Sequence, residues 1–154
     1  MLGRIKKLDR KGRRAALTNL RCVRIESSYF LKYLLPAHSA TALHVYFPDP
    51  WPKRKHRRHR LVSEQFVSLA YEVLQPGGRV YLRTDDADYF KQMIEVFAGS
   101  ALFSKVEAPS DLVGLLTDFE ADFNARGIIT LRAAYELKRE NLLIPPLNPV
   151  TRQD

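Results

Sequence analysis

Residues 61–84 read LVSEQFVSLAYEVLQPGGRVYLRT, a helix pattern, a glycine turn and a strand pattern in direct succession. Apolar residues repeat at helical spacing over residues 61–74, and RVYLRT then has the branched and aromatic residues of a strand. The run ALHVYF at residues 42–47 precedes this unit, and a second helix pattern at residues 87–98 follows it. Strands that alternate with helices predict an α/β fold with a mostly parallel sheet.

The flanking sequence continues this alternation. In such sheets ligands bind outside the carboxyl ends of the strands, so Glu26, Asp49 and Asp85, each placed just after a predicted strand, are candidate site residues. The other predicted elements are a basic helix over residues 3–17, a strand over Leu20–Ile25, a brief helix ended by Pro36, a strand near residues 102–107, a loop, a short helix ended by Gly127 and a strand over residues 128–137.

Composition bounds the class of protein. A length of 154 residues with 45% hydrophobic residues predicts one folded domain over residues 1–154. Within it we expect a basic helix (residues 1–18), a core (19–138) and an extended, proline-rich tail (139–154). We expect neither a membrane span nor a secretory signal, because no apolar run is long enough. One cysteine excludes an internal disulfide, which favours a cytoplasmic protein.

Charge is divided unevenly along the chain. The net charge is +8, but residues 1–60 carry +13 and residues 61–154 carry −5. Such asymmetry predicts a basic face for a polyanion on an otherwise ordinary body. Nucleic acid is the first candidate partner, and an anionic membrane surface is the second.

The segment from Tyr46 to Arg60, YFPDPWPKRKHRRHR, is the most specific feature. Three prolines stiffen it and hold Asp49 and Trp51 in defined directions. The alternative interpretation is a solvated basic loop with a buried tryptophan. A metal at the two histidines is disfavoured by the cations around them, so we expect no metal. The cations, which suffice to neutralise several phosphates, are Lys53, Arg54, Lys55, Arg57, Arg58 and Arg60.

A second segment, LLTDFE, allows two interpretations. Thr117 and Glu120 have the spacing of a capping box, so the segment could simply begin a helix. On local evidence this structural interpretation is favoured over a site.

Three motifs together carry a family resemblance. YFPDPWPKRKHRRHRL, LQPGGRVYLRTD and LLTDFEADFNARG closely resemble the bacterial tRNA (guanine-N7)-methyltransferase family in order and spacing, over about Leu17 to Glu136. The resemblance implies a Rossmann-like class I fold, mostly parallel with an antiparallel C-terminal strand. It also implies methyl transfer from S-adenosylmethionine to N7 of a guanine in the tRNA variable loop.

The resemblance also implies roles for residues. Asp49 matches the catalytic aspartate, which also approaches the methyl donor. Glu26 stands where the family usually has an aspartate near the donor's adenine. The basic segment would hold the RNA backbone through Arg54, Lys55, Arg57, Arg58 and Arg60. The positions matching substrate-binding residues are Lys53, Asp85, Thr117, Asp118, Phe119 and Glu120.

The sequence departs from the family in one respect. The family's glycine-rich loop, of the Glu-x-Gly-x-Gly-x-Gly type, is absent, and the N-terminal strands of the sheet are expected to be missing with it. The remaining strands would then pair across a gap, swap between chains as a homodimer, or join a separate N-terminal segment. The alternative function is therefore a non-catalytic RNA-binding fragment or remnant that cannot bind the methyl donor alone.

Overall fold

A computed structural model of the chain describes residues 2–138. The predicted tail at residues 139–154 lies outside this range. The helices are α1 (Leu2–Arg14), α2 (Ser27–Tyr33), α3 (Glu64–Val73), α4 (Ala87–Ala98), α5 (Ser110–Gly114) and α6 (Asp118–Ala125), with a 3₁₀ helix at Arg54–His59; the strands are β1 (Ala40–Tyr46), β2 (Leu74–Thr84), β3 (Phe103–Val106) and β4 (Leu131–Leu137).

The four strands form one sheet in the order β1-β2-β4-β3. Strand β1 is parallel to β2, with Tyr46 beside Arg83. Strand β4 is antiparallel to both β2 and β3, so β1, β2 and β3 all run in one direction and β4 runs in the other. The predicted α/β class, with mostly parallel strands and an antiparallel C-terminal strand, is confirmed.

The core lies between the sheet and helices α3 and α4, which contact each other and strand β2. Each helix begins at a side-chain cap: Ser63 accepts from the Phe66 amide, and Asp86 accepts from the Tyr89 amide. The apolar faces of both helices then pack on the strands, and the ring of Phe97 stacks on a β4 tyrosine at 4.2 Å. Within residues 2–138 no helix combines the length and apolarity needed to cross a bilayer.

The predicted strand at Leu20–Ile25 is wrong. This stretch is irregular chain, and Leu20, Val23 and Ile25 are exposed. A strand needs a neighbouring strand for its backbone hydrogen bonds, and none of the described strands pairs with this segment. Consequently Glu26 does not end a strand but caps α2.

Two other expectations also differ from the structure. A short helix, α5, forms where a loop was predicted, and the basic residues after PDPWP form a 3₁₀ helix. The QPGG turn is absorbed into β2, which begins at Leu74 directly after α3. The pairing with β1 shifts register there, between Ala40 and Ala42, and Gly77 has a φ of 74°.

Replacing Gly78 should destabilise the fold, because a Cβ there would lie 2.8 Å from the Gln75 carbonyl oxygen and 3.0 Å from Leu74 Cδ2. We expect Gly78→Ala to lower the free energy of unfolding in urea by about 1–3 kcal/mol. Gly114→Ala is the matched control, since nothing lies within 4 Å of its added carbon. Equal stability of the two variants would contradict this account of the close packing at Gly78.

Candidate functional site

The candidate residues meet at one edge of the sheet. Strands β1 and β2 end side by side at Tyr46 and Thr84, and β4 begins opposite Thr84. The loop containing Asp49, the turn containing Asp85 and the connection from α6 to β4 therefore emerge at the same edge. This edge is the carboxyl end of the parallel pair, where ligands of α/β sheets bind.

The loop between β1 and the 3₁₀ helix, residues 47–53 and here called the PDPWP loop, has a strained backbone. Phe47 and Trp51 have φ values of 50° and 44°, a region that costs about 1–3 kcal/mol for residues other than glycine. Phe47 is held because its amide donates to the Arg83 carbonyl at 2.8 Å. Trp51 is 37% exposed and packs against His56 and His59, so it is not a buried tryptophan. The prolines, the strand end and these ring contacts together fix the loop that carries the exposed Asp49.

Arg60 anchors this loop from inside the protein. Its Nε donates to the Pro50 carbonyl at 2.6 Å, and its other nitrogens bind Asp88 at 2.6 Å and Gln92 at 2.8 Å. The guanidinium also lies 4.7 Å from the centre of the Tyr89 ring. A hydrogen bond from Arg60 lowers the pKa of Asp88, a surface carboxylate on α4. With 1% of its side chain exposed, Arg60 lies beneath the loop, whereas the sequence grouped it with the exposed cations around it.

The other predicted RNA-contacting cations lie at the surface. Arg57 is half-buried and pairs with Asp88 at 2.9 Å. The other exposed side chains of this group form no ion pair within the described residues; they are Lys53, Arg54, Lys55 and Arg58. The 3₁₀ helix thus presents a compact, uncompensated positive surface beside the PDPWP loop.

Glu120 is buried, and its carboxylate binds other groups of the protein. It is 0% exposed, binds Arg83 at 2.7 Å and Arg132 at 2.9 Å, and accepts from the Thr117 amide at 2.9 Å. Thr117 caps α6 in return, so the capping box is confirmed. Burial acts to raise the pKa of Glu120, but hydrogen bonds from Thr117 and Arg83 outweigh it and keep the pKa below its usual value.

Exposed members of the same segment lie next to the PDPWP loop. The Phe119 ring stacks on Phe47 with centroids 5.9 Å apart, and Phe123 contacts both rings. Phe119 remains 52% exposed, and Asp118 beside it is also exposed. The structure therefore brings Asp118 and Phe119, but not Glu120, to the surface near Asp49.

Glu26 faces the basic 3₁₀ helix across a cleft of about 340 Å³, which Arg58 and His59 also line. Its oxygens accept from the Ser28 amide at 2.9 Å and the Tyr29 amide at 2.7 Å. These two hydrogen bonds lower the pKa of Glu26, and the one from Ser28 has the larger effect. The carboxylate is therefore an ionised helix cap that is still open to the cleft.

Sequence reasoning missed two supporting residues. Arg83 is a charged residue inside an apolar strand, a pattern that signals a paired, buried charge. Asp88, which holds both Arg57 and Arg60, has no distinguishing sequence context. The described part of the chain contains no group of three or more potential metal-ligating side chains.

Comparison with known proteins identifies the family. A sequence profile described as "Putative methyltransferase" matches residues 2–132. Curated tRNA (guanine-N(7)-)-methyltransferases are also similar: that of Nitrosospira multiformis is 38% identical over 107 residues, covering 68% of this chain and 47% of the relative. That of Geobacter metallireducens is 39% identical over 103 residues, covering 67% and 49%.

The chain belongs to the family of putative methyltransferases that this profile describes. It spans about half the length of these curated relatives. A solved S-adenosylmethionine-dependent methyltransferase from Archaeoglobus fulgidus aligns with 80% of this chain and 70% of its own, at a TM-score of 0.42 and 9% identity, which is too distant to add to the family match.

Removing the charge of Glu120 should be costly. Glu120→Gln leaves the buried Arg83 and the partly exposed Arg132 without their counter-charge, so we expect the free energy of unfolding to fall by about 3–5 kcal/mol. Asp122→Asn removes the exposed ion pair with Arg126 and should cost less than about 1 kcal/mol. Denaturant unfolding compares the two, and a small loss for Glu120→Gln would contradict the anchoring role.

The stability that Glu120 contributes should also depend on pH. Its folded-state pKa lies below the unfolded value of about 4.3, so its contribution is complete above that value and is lost as pH falls through the folded pKa. The stability difference between the wild type and Glu120→Gln should therefore shrink as unfolding is measured from about pH 6 towards pH 3. A difference that stays constant over this range would overturn the assignment.

Proposed function

We propose that this chain acts as a cytoplasmic tRNA (guanine-N7)-methyltransferase, which transfers a methyl group from S-adenosylmethionine to N7 of a guanine in the tRNA variable loop. One observation carries the proposal. A rigid loop holds the exposed Asp49 at the carboxyl end of the sheet, with uncompensated cations on one side and the exposed Phe119 on the other. Family membership supports the same activity.

The chemistry needs orientation more than base catalysis. N7 of a neutral guanine has a free lone pair, so its attack on a methyl group bound to sulfonium requires no strong base. S-adenosylmethionine supplies that methyl group when bound, and the bonding electrons of the broken C–S bond remain on sulfur. Asp49 accepts hydrogen bonds from the guanine N1 and N2 donors or stabilises the positive charge that develops on the ring.

The RNA is held by the surface around Asp49. Lys53, Arg54, Lys55 and Arg58 contact backbone phosphates, which position the RNA without reading its sequence. Phe119, Asp118 and Asp85 lie at the same end of the sheet, and we expect them to contact the base or its neighbours. Arg60 and Glu120 act from inside the protein as positioning residues, one for the PDPWP loop and the other for α6.

The described residues fit the methyl donor only in part. Glu26 and Asp49 offer carboxylates that suit the amino and hydroxyl groups of an adenosine. No glycine of the chain lies in a turn that leads from a strand into a helix: Gly77 and Gly78 lie within β2, and the others lie in helices or at helix ends. The donor therefore lacks the close backbone approach that such a turn provides.

This partial fit favours a second candidate function, a non-catalytic RNA-binding protein that retains the basic surface and cannot bind the donor alone. Strand β1 is an outer strand of the described sheet, so one of its two sides has no neighbouring strand. An apolar cleft of about 290 Å³, lined in part by Val23, Ile25 and Phe30, lies beside it. A strand from a second copy, or from a separate segment, can add to this edge. The two candidates differ in donor binding.

Calorimetric titration of the folded 154-residue chain with S-adenosylmethionine, alone and with unmodified tRNA, separates the two candidates. Saturable binding in either condition, together with 7-methylguanine in the digested tRNA, supports the enzyme. Absence of heat and of product, from protein shown by circular dichroism to be folded, supports the RNA-binding alternative. Light scattering of the same sample reports whether a second copy is bound.

Removing the charge of Asp49 should affect turnover more than tRNA binding. We expect Asp49→Asn to lower kcat by about 100-fold, the usual effect of losing one charge-stabilising group. The dissociation constant for tRNA should stay within about tenfold, or about 1.4 kcal/mol. Asp122→Asn, an exposed carboxylate on α6, is the control and should turn over as the wild type does. Wild-type turnover by Asp49→Asn would sink the catalytic assignment.

A further inference from the structure

Helix α1 carries a second basic surface, separate in sequence from the 3₁₀ helix. Its one acidic residue, Asp9, pairs with Arg13 at 2.9 Å. A solvated helix ordinarily mixes both signs of charge, so this excess of one sign calls for a counter-charge. The exposed cations of this surface, called the α1 surface below, are Lys6, Lys7, Arg10, Lys11, Arg13 and Arg14.

The side of α1 opposite this surface contacts Leu20. Leu20 packs directly on the helix at Gly12, where an added Cβ would lie 2.6 Å from Leu20 Cδ2. Ile5 lies on the same side of the helix as Gly12 and is half-buried. At about 100° per residue, the cations occupy the arc opposite these two positions. The contact between Gly12 and Leu20 therefore leaves the cations uncovered.

We propose that the α1 surface binds the phosphate backbone of a base-paired RNA arm, in addition to the contact made by the 3₁₀ helix. Paired RNA is recognised mainly through its shape and its backbone, which suits a broad array of cations on a helix that has no aromatic residue. That the paired arm belongs to tRNA rests on the proposed function; the affinity for a phosphate backbone does not.

The features of α1 favour RNA over an anionic membrane. A helix that lies in a membrane interface needs a continuous apolar face with Trp, Phe or Leu. In α1 that side is interrupted by Gly12 and partly covered by Leu20. Among its described side chains, Leu8, at 54%, is the large apolar group left mainly exposed. Within the helix this side chain supplies little apolar area, and the other exposed apolar residues nearby, such as Leu17 and Val23, lie in the irregular segment after it.

The test measures binding of the full chain to a labelled tRNA and to a short RNA hairpin without a variable loop, as a function of salt. In the α1 variant, Lys6, Lys7, Arg10 and Lys11 are all replaced by Gln. The logarithm of the binding constant K falls as the logarithm of salt concentration rises. Every phosphate that the protein no longer neutralises makes this negative slope shallower by about 0.7–0.9. We therefore expect a slope smaller by about 3, and weaker binding to both RNAs.

Two controls keep the result specific. The first control replaces four exposed lysines elsewhere by Gln, namely Lys32, Lys91, Lys105 and Lys138. It changes the net charge by the same amount and should leave a salt dependence nearer that of the wild type. Replacing Lys6, Lys7 and Lys11 by Arg keeps the charge and should preserve binding. Circular dichroism and thermal unfolding establish that all variants are folded.

Three outcomes would overturn the proposal: an unchanged slope in the α1 variant, an equal loss in the four-lysine control, or binding to phosphatidylserine vesicles that depends on α1 while RNA binding does not. Because no methyl donor is present, the result is independent of catalysis. A wild-type chain that shows no methyl transfer in the separate activity assay, but binds RNA through α1, would refute the proposed function without affecting the proposal for the α1 surface.

Discussion

The ion pair between Arg83 and Glu120 is the interaction on which the candidate site depends. Arg83 lies on β2, between β1 and β4 in the sheet. Its guanidinium binds Glu120 at 2.7 Å and donates to two carbonyls of the segment before α6. Its guanidinium also lies 4.4 Å from the centre of the Tyr46 ring, on the neighbouring strand. A single side chain therefore joins β1, β2 and α6 at the carboxyl end of the sheet. Because these charges are buried, each needs its partner, and the geometry tolerates little movement.

The PDPWP loop depends on a second buried arginine. Arg60 connects the Pro50 carbonyl to α4 through Asp88 and Gln92. A loop with two non-glycine residues at positive φ is unfavourable by itself and persists only where its surroundings hold it. The two arginines thus serve one purpose, which is to support exposed groups such as Asp49 and Phe119 on a rigid base. Such preorganisation suits a reaction that needs alignment of a nucleophile with a methyl group more than proton transfer.

Most of the fold was predictable because local patterns agree with the tertiary structure. The helices α3 and α4 have strong apolar periodicity and side-chain caps, and both form within a few residues of their predicted bounds. The wrong strand at Leu20–Ile25 shows the limit of this reasoning: its pattern is suitable, but a strand also needs a pairing partner that the pattern does not reveal. Arg60 shows the same limit, because nothing in the sequence around it distinguishes this buried arginine from the exposed cations beside it. Its burial depends on Asp88 and Gln92, which lie far along the chain.

The class of fold, the unequal distribution of charge and the motifs of the methyltransferase family are all readable from the amino-acid sequence, because periodicity, composition and short motifs are local properties. Which of the motif residues are exposed is visible only after folding. It places Glu120 and Arg60 inside as anchors, leaves Asp49, Lys53 and Phe119 at the surface, and sets Glu26 across a cleft from Arg58. Exposure is decided by packing between segments distant in sequence. Residue type alone does not distinguish a charged motif residue that binds a ligand from one that supports such a residue.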